Sequence, residues 1–149
     1  MKRIRKTLAI SAWLAAVVLL TCACNDELDI NQVYSFDLVT MPVQKKIVQG
    51  ETAEIRCQLV KEGEYEQAKF FIRYFQPDGK GELRMDNGTV FQPNDLYPLN
   101  KTVFRLYYTS HCTDQQLIDV YIEDNFGQVI QKTFTWQNDK GEDDETVNK

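Results

Sequence analysis

One histidine limits the nucleophilic chemistry open to this 149-residue chain. A nucleophile, its base and an orienting group must lie within hydrogen-bond reach. A His-dependent triad would therefore have to use His111, with Ser110, Cys112 and Asp114 beside it in sequence. Neighbours in an extended segment point to opposite sides, so the cluster reads as an exposed polar loop. A structural zinc site takes four N or S ligands. Cys57, Cys112 and His111 supply three at most, without paired spacing. Asp114 and Asp124-Asn125 carry the oxygens calcium prefers, but they read more plainly as turn formers. Gly79-Lys80-Gly81 closes a turn and is no phosphate loop, and no pair of carboxylates stands out for glycoside hydrolysis. Glu142-Asp143-Asp144-Glu145 is a solvated charge run. The expectation is a non-enzyme with no catalytic residues, no metal and no cofactor.

One cysteine does carry chemistry. Lys2, Arg3, Arg5 and Lys6 precede an uncharged apolar run, Leu8 to Leu20, which ends in Thr21-Cys22-Ala23-Cys24. The run is shorter than the roughly 20 residues of a membrane span and matches the apolar region of a secretory signal. Small residues before a cysteine resemble the lipobox of bacterial lipoproteins, in which cleavage leaves a lipid-bearing N-terminal cysteine. Residues 1–23 are thus expected to be a signal peptide and Cys24 the lipidated residue, with Cys22 a second candidate. Residues 24–32, including Asp26-Glu27-Leu28-Asp29, read as a polar tether, and 138–149 as a disordered polar tail. The expected location is the cell envelope, periplasmic or surface side, held to a membrane by the lipid. Residues 1–23 hold four of the 17 basic residues and none of the 22 acidic ones. Cleavage leaves 13 basic against 22 acidic, a net charge of −9. Such a domain is repelled by DNA phosphates, which argues against direct nucleic-acid binding.

The elements that must position any site lie between about 33 and 137, one domain's length. Apolar residues recur there with period two, the signature of half-buried strands. Tyr34, Phe36 and Leu38 form one such set. Others are Ala53, Ile55, Cys57 and Leu59; Phe70, Ile72 and Tyr74; Phe104, Leu106 and Tyr108; and Ile118, Val120 and Ile122. A last strand carries Ile130, Phe134 and Trp136, interrupted by Lys132. A short hairpin, Leu83–Met85 with Thr89–Phe91, flanks Asn87-Gly88, a pair suited to positive φ. Gly50, Pro77-Asp78-Gly79, Pro93-Asn94-Asp95 and Asp124 to Gly127 punctuate the runs. No stretch reads as a long amphipathic helix. About seven strands with regular turns predict an all-β, immunoglobulin-like (fibronectin-like) β-sandwich. Cys57 falls on an inward face and Cys112 in a loop. They read as a core residue and a loop thiol, and their pairing stays open.

In an immunoglobulin-like order, the third and sixth of these strands are neighbours. Their outward residues then gather Phe71, Arg73 and Phe75 with Asp119 and Tyr121, aromatics around an Arg–Asp pair. Aromatic residues and Arg are enriched at binding hot spots. The expectation is a protein-binding face, unless loops cover the rings.

Several longer blocks are familiar together. Met41-Pro42-Val43-Gln44-Lys45-Lys46 leads into Gly50-Glu51-Thr52-Ala53-Glu54-Ile55-Arg56-Cys57. Ile72-Arg73-Tyr74-Phe75-Gln76-Pro77-Asp78-Gly79-Lys80-Gly81 follows, then Phe104-Arg105-Leu106-Tyr107-Tyr108-Thr109-Ser110. Asp114-Gln115-Gln116, Ile118-Asp119-Val120-Tyr121 and Glu123-Asp124-Asn125-Phe126-Gly127 close the series. From about Asp29 to Trp136 the chain resembles the TraQ family of Bacteroidetes conjugative transposons. The resemblance implies a role in conjugative DNA transfer beside a type IV secretion-like apparatus. Its implied partners are other conjugation-apparatus proteins, and it carries over no catalytic residue. It also fits an immunoglobulin-like domain. Residues and resemblance together suggest a protein-interaction module of the envelope. The alternative is a surface-exposed ligand-binding or exclusion-type lipoprotein.

Overall fold

The computed structural model describes residues 33–64 and 66–139. The expected signal peptide (1–23), Cys24, the rest of the expected tether (25–32) and the residues beyond Asp139 lie outside the described residues. Period-two burial becomes nine strands: β1 (Phe36–Thr40), β2 (Lys46–Ile47), β3 (Thr52–Lys61), β4 (Phe70–Asp78), β5 (Gly81–Met85), β6 (Tyr97–Leu99), β7 (Val103–Ser110), β8 (Gln116–Asp124) and β9 (Val129–Asn138). They form two sheets, ordered β1-β3-β7-β5 and β2-β9-β8-β4-β6. Pairing is antiparallel throughout except between β2 and β9. The two sheets pack into a β-sandwich, as the alternation predicts. The orders β1-β3-β7-β5 and β9-β8-β4 coincide with the ABED and GFC orders of constant-type immunoglobulin domains.

β2 and β6 are the strands beyond the expected seven. At two and three residues they are too short to show alternation. β9 runs to Asn138, and the Asp139 N–H donates to the Ile47 carbonyl at 3.1 Å. The expected hairpin is present: Met85 N–H donates to the Thr89 carbonyl at 2.9 Å, and Gly88 takes φ 89°.

The inward faces meet as one core. Ala53, Ile55, Cys57 and Leu59 of β3 face Ile118, Val120 and Ile122 of β8, with Phe104, Leu106 and Tyr108 of β7 beside them. Immunoglobulin domains place a Trp on the third strand, against a disulfide. Here Trp136 comes from the last strand, fully buried, and stacks on Tyr108 with ring centroids 4.7 Å apart and planes 7° from parallel. Gly81 makes room for that stack, since a Cβ there would collide with the Tyr108 ring.

The Tyr108 hydroxyl anchors a buried polar cluster at one end of the sandwich. It accepts from Gln76 Nε2 at 2.6 Å and donates to Gln116 Oε1. The Gln116 amide is ringed by Ser110 Oγ (2.8 Å), the Cys112 carbonyl (3.1 Å) and Cys112 Sγ (3.2 Å). Those are more acceptors than its two N–H groups can serve. Cys112 therefore sits at the Ser110 end of β7. Cys57 is opposite Phe104, six residues back along that strand. Six residues of strand span roughly 20 Å, far beyond the ~7 Å limit between bridged Cα atoms. Both cysteines are free thiols.

Two predictions follow from this packing. Gly81→Ala should lower stability by about 1–3 kcal/mol, the usual cost of overpacking, read as a lower urea midpoint; an unchanged midpoint would show that the stack yields freely. Burial pushes the Cys57 thiol up from 9.0 to about 12. Across that interval the unfolded chain releases a proton that the folded chain keeps, so stability falls as pH rises above about 9. Burial raises Tyr108 in the same direction. Cys57→Ala should therefore show a shallower alkaline loss of stability than the parent, measured by urea melts at stepped pH.

Candidate protein-contact face

β4 and β8 lie side by side, with Phe71 opposite Glu123, Arg73 opposite Tyr121 and Phe75 opposite Asp119. All five expected face residues, Phe71, Arg73, Phe75, Asp119 and Tyr121, are half-buried on the outer side of the second sheet. The expectation that these strands are neighbours is met. The ion pair differs from the expected one. Arg73 Nε faces Glu123 Oε1 at 2.5 Å, with side chains 31% and 21% exposed. This is charge contact without a directed hydrogen bond at those two atoms. Asp119 instead accepts from Thr133 Oγ1 of β9 at 2.5 Å. The reason is register: Glu123 stands one outward position beyond Tyr121, within reach of the Arg, while Thr133 is directly opposite Asp119.

Arg73, Phe75 and Tyr121 form the centre. The guanidinium carbon lies 5.3 Å from the Tyr121 centroid and 5.7 Å from that of Phe75. The two rings meet edge-to-face at 5.6 Å. Asn94 adds a weak contact, accepting from Arg73 Nη1 at 3.4 Å, and its own N–H donates to the Tyr74 carbonyl at 2.8 Å. Asn94 takes φ 68°, a left-handed turn Asn tolerates well. The segment between β5 and β6 thus shields one side of the Arg and leaves the face half open. Phe71 lies farther along β4, beside Pro98 of β6.

Glu123, Asn94 and Thr133 were not among the expected face residues. The signal for Glu123 was present, since it shares the parity of Asp119 and Tyr121. Nothing local pointed to Asn94, whose contact depends on how a long loop returns. The outer face of the first sheet is different in kind. There Arg56 and Arg105 both approach Glu54, at 3.1 and 3.3 Å, in exposed ion pairs of the sort that contribute little.

The residues weighed for catalysis and metals are dispersed. His111 is exposed and its N–H donates to the Lys80 carbonyl at 2.8 Å. Ser110 is fully buried and its hydroxyl donates to the Cys112 carbonyl. The Asp124 carboxylate accepts from the Phe126 and Gln128 amides at 2.9 and 2.8 Å, which makes it a turn former. Among the described residues no three His, Cys, Asp or Glu side chains gather as metal ligands do.

The comparisons with known proteins bear on the whole sandwich. The family model for TraQ conjugal transfer protein matches residues 7–139. The chain belongs to the TraQ conjugal transfer protein family. Solved structures agree. A conjugative transposon lipoprotein from Bacteroides eggerthii is 45% identical, with 71% of this chain and 100% of that one covered, at a TM-score of 0.67. A lipoprotein from Bacteroides thetaiotaomicron is 58% identical, with 83% and 95% covered, also at 0.67. A conjugate transposon protein from Bacteroides vulgatus is 43% identical, with 83% and 99% covered, at 0.64. No curated protein matches.

A double-mutant cycle of Arg73→Ala and Tyr121→Ala should give a coupling of about 0.5–1 kcal/mol, the range of half-exposed cation–π contacts. Additive losses in urea melts would show that the ring does not hold the Arg.

Proposed function

We propose that the domain is a lipid-anchored envelope component of the conjugative transfer apparatus, working as a protein-interaction module through the β4–β8 face. Cys24 is the lipidated residue, and the other transfer proteins are the partners. Membership of the TraQ family supports the process. Solved relatives described as lipoproteins support the anchor. The observation that carries the contact role is Arg73, held between Phe75 and Tyr121 and backed by Glu123. A cation pre-positioned on two rings loses little side-chain freedom on binding, which is the main cost of using an Arg at a contact. The net charge of −9 expected after cleavage turns the domain away from DNA and toward protein partners.

The test is Arg73→Gln, which removes the cation and leaves both rings. Charge reversal is a poorer choice, because it would set a second carboxylate against Glu123. The purified variant should fold, while donor cells carrying it should lose about tenfold or more in transfer frequency, the effect of one hot-spot side chain. Parental transfer frequency would reject the face.

A further inference from the structure

Two arginines stand directly opposite each other on the outer face of the first sheet, Arg56 of β3 and Arg105 of β7. Like charges placed opposite destabilise a strand pair. One carboxylate oxygen serves both: Glu54 Oε1 lies 3.1 Å from Arg56 Nε and 3.3 Å from Arg105 Nη1. A guanidinium has five N–H donors, and these side chains are 62% and 54% exposed, so most of the donors face solvent. Asp37, on the same face, is taken by Lys132 of β9 at 3.1 Å. Val39, Met41 and Val103 stand beside the pair, with Met41 and Val103 62% and 67% exposed. With the two arginines they wall a hollow of about 230 Å³ that no carboxylate lines among the described residues. The face thus offers unmatched positive charge next to an uncovered apolar patch.

The described chain ends close to this hollow. The Asp139 N–H donates to the Ile47 carbonyl, and the Asp139 carboxylate pairs with Lys46 at 3.6 Å. Ile47 follows Met41 by six residues, a span of at most about 20 Å. The Met41 N–H in turn donates to the Arg56 carbonyl at 3.1 Å. Glu142-Asp143-Asp144-Glu145 begins three residues past Asp139. Three to six residues of extended chain cover roughly 10–20 Å, enough to reach the arginines. The other acidic stretch, Asp26 to Asp29, joins at the opposite end of β1, where Phe36 pairs with Lys61. It would have to run back along the whole strand.

We propose that the acidic segment 142–145 docks on Arg56 and Arg105 and closes the outer face of the first sheet. Its four carboxylates meet two guanidiniums that otherwise share one oxygen. Val147, the one apolar side chain beyond Asp139, stands two residues past Glu145 and covers the hollow. A single exposed ion pair contributes little, but several charges acting as a network contribute more. A segment joined to the same chain also binds at a high effective concentration. The docked tail withdraws this face from other proteins and leaves the second sheet open to them.

NMR of the 15N-labelled mature chain at low salt tests this. Glu142→Gln, Asp143→Asn, Asp144→Asn and Glu145→Gln, combined, should shift the Val39 and Val103 amide signals and the Arg56 and Arg105 Nε–H signals. Arg73 and Tyr121 should stay in place. About 0.5 M NaCl should shift the same signals of the parent, because salt screens exposed charges. Arg56→Gln with Arg105→Gln should return the amides of 142–147 to the positions of a free peptide of that sequence. Face signals that the neutralised tail leaves unchanged overturn the proposal. Shifts that vanish on dilution would assign the docked segment to a second copy and overturn the choice of the chain's own tail.

Discussion

The structure depends on one aromatic stack that joins its two sheets. Trp136 reaches in from β9 and lies flat on Tyr108 of β7. Each ring buries about 150–250 Å², so the pair is among the largest contributions to a core of this size. Among the described residues no disulfide ties the sheets together: Cys57 and Cys112 are free. The Tyr108 hydroxyl also has to be satisfied inside the core, and Gln76 and Gln116 do so. Gln76 belongs to β4 and Gln116 to β8, so the same tyrosine ties the stack to the strands that carry the candidate face.

That coupling gives the two outer surfaces different uses. The first sheet shows solvent a set of exposed ion pairs around Glu54. The second shows rings around a held Arg. Membership of the TraQ family gives this sheet a process to serve.

Much of the architecture was legible because burial has a two-residue period. The inward sets on β3, β7 and β8 are buried as their alternation predicts, and Gly88 takes the positive φ its hairpin requires. What was not legible depends on register between distant strands. Arg73 could have met Asp119 or Glu123, and only the pairing of Phe71 with Glu123 decides it. Nothing in the sequence marked Gln116 as a core residue, yet it is fully buried, because Ser110 and Cys112 close over it. β2 was hidden for another reason: two residues carry no period.

The central claim is that the second sheet is the working surface. A photo-crosslinking residue placed singly at exposed positions of both sheets, in donor cells during mating, tests it most directly. The account predicts adducts to transfer proteins from positions 131 and 133, which border Tyr121 and Asp119, and none from positions 56 and 105. Adducts confined to the first-sheet positions would contradict it.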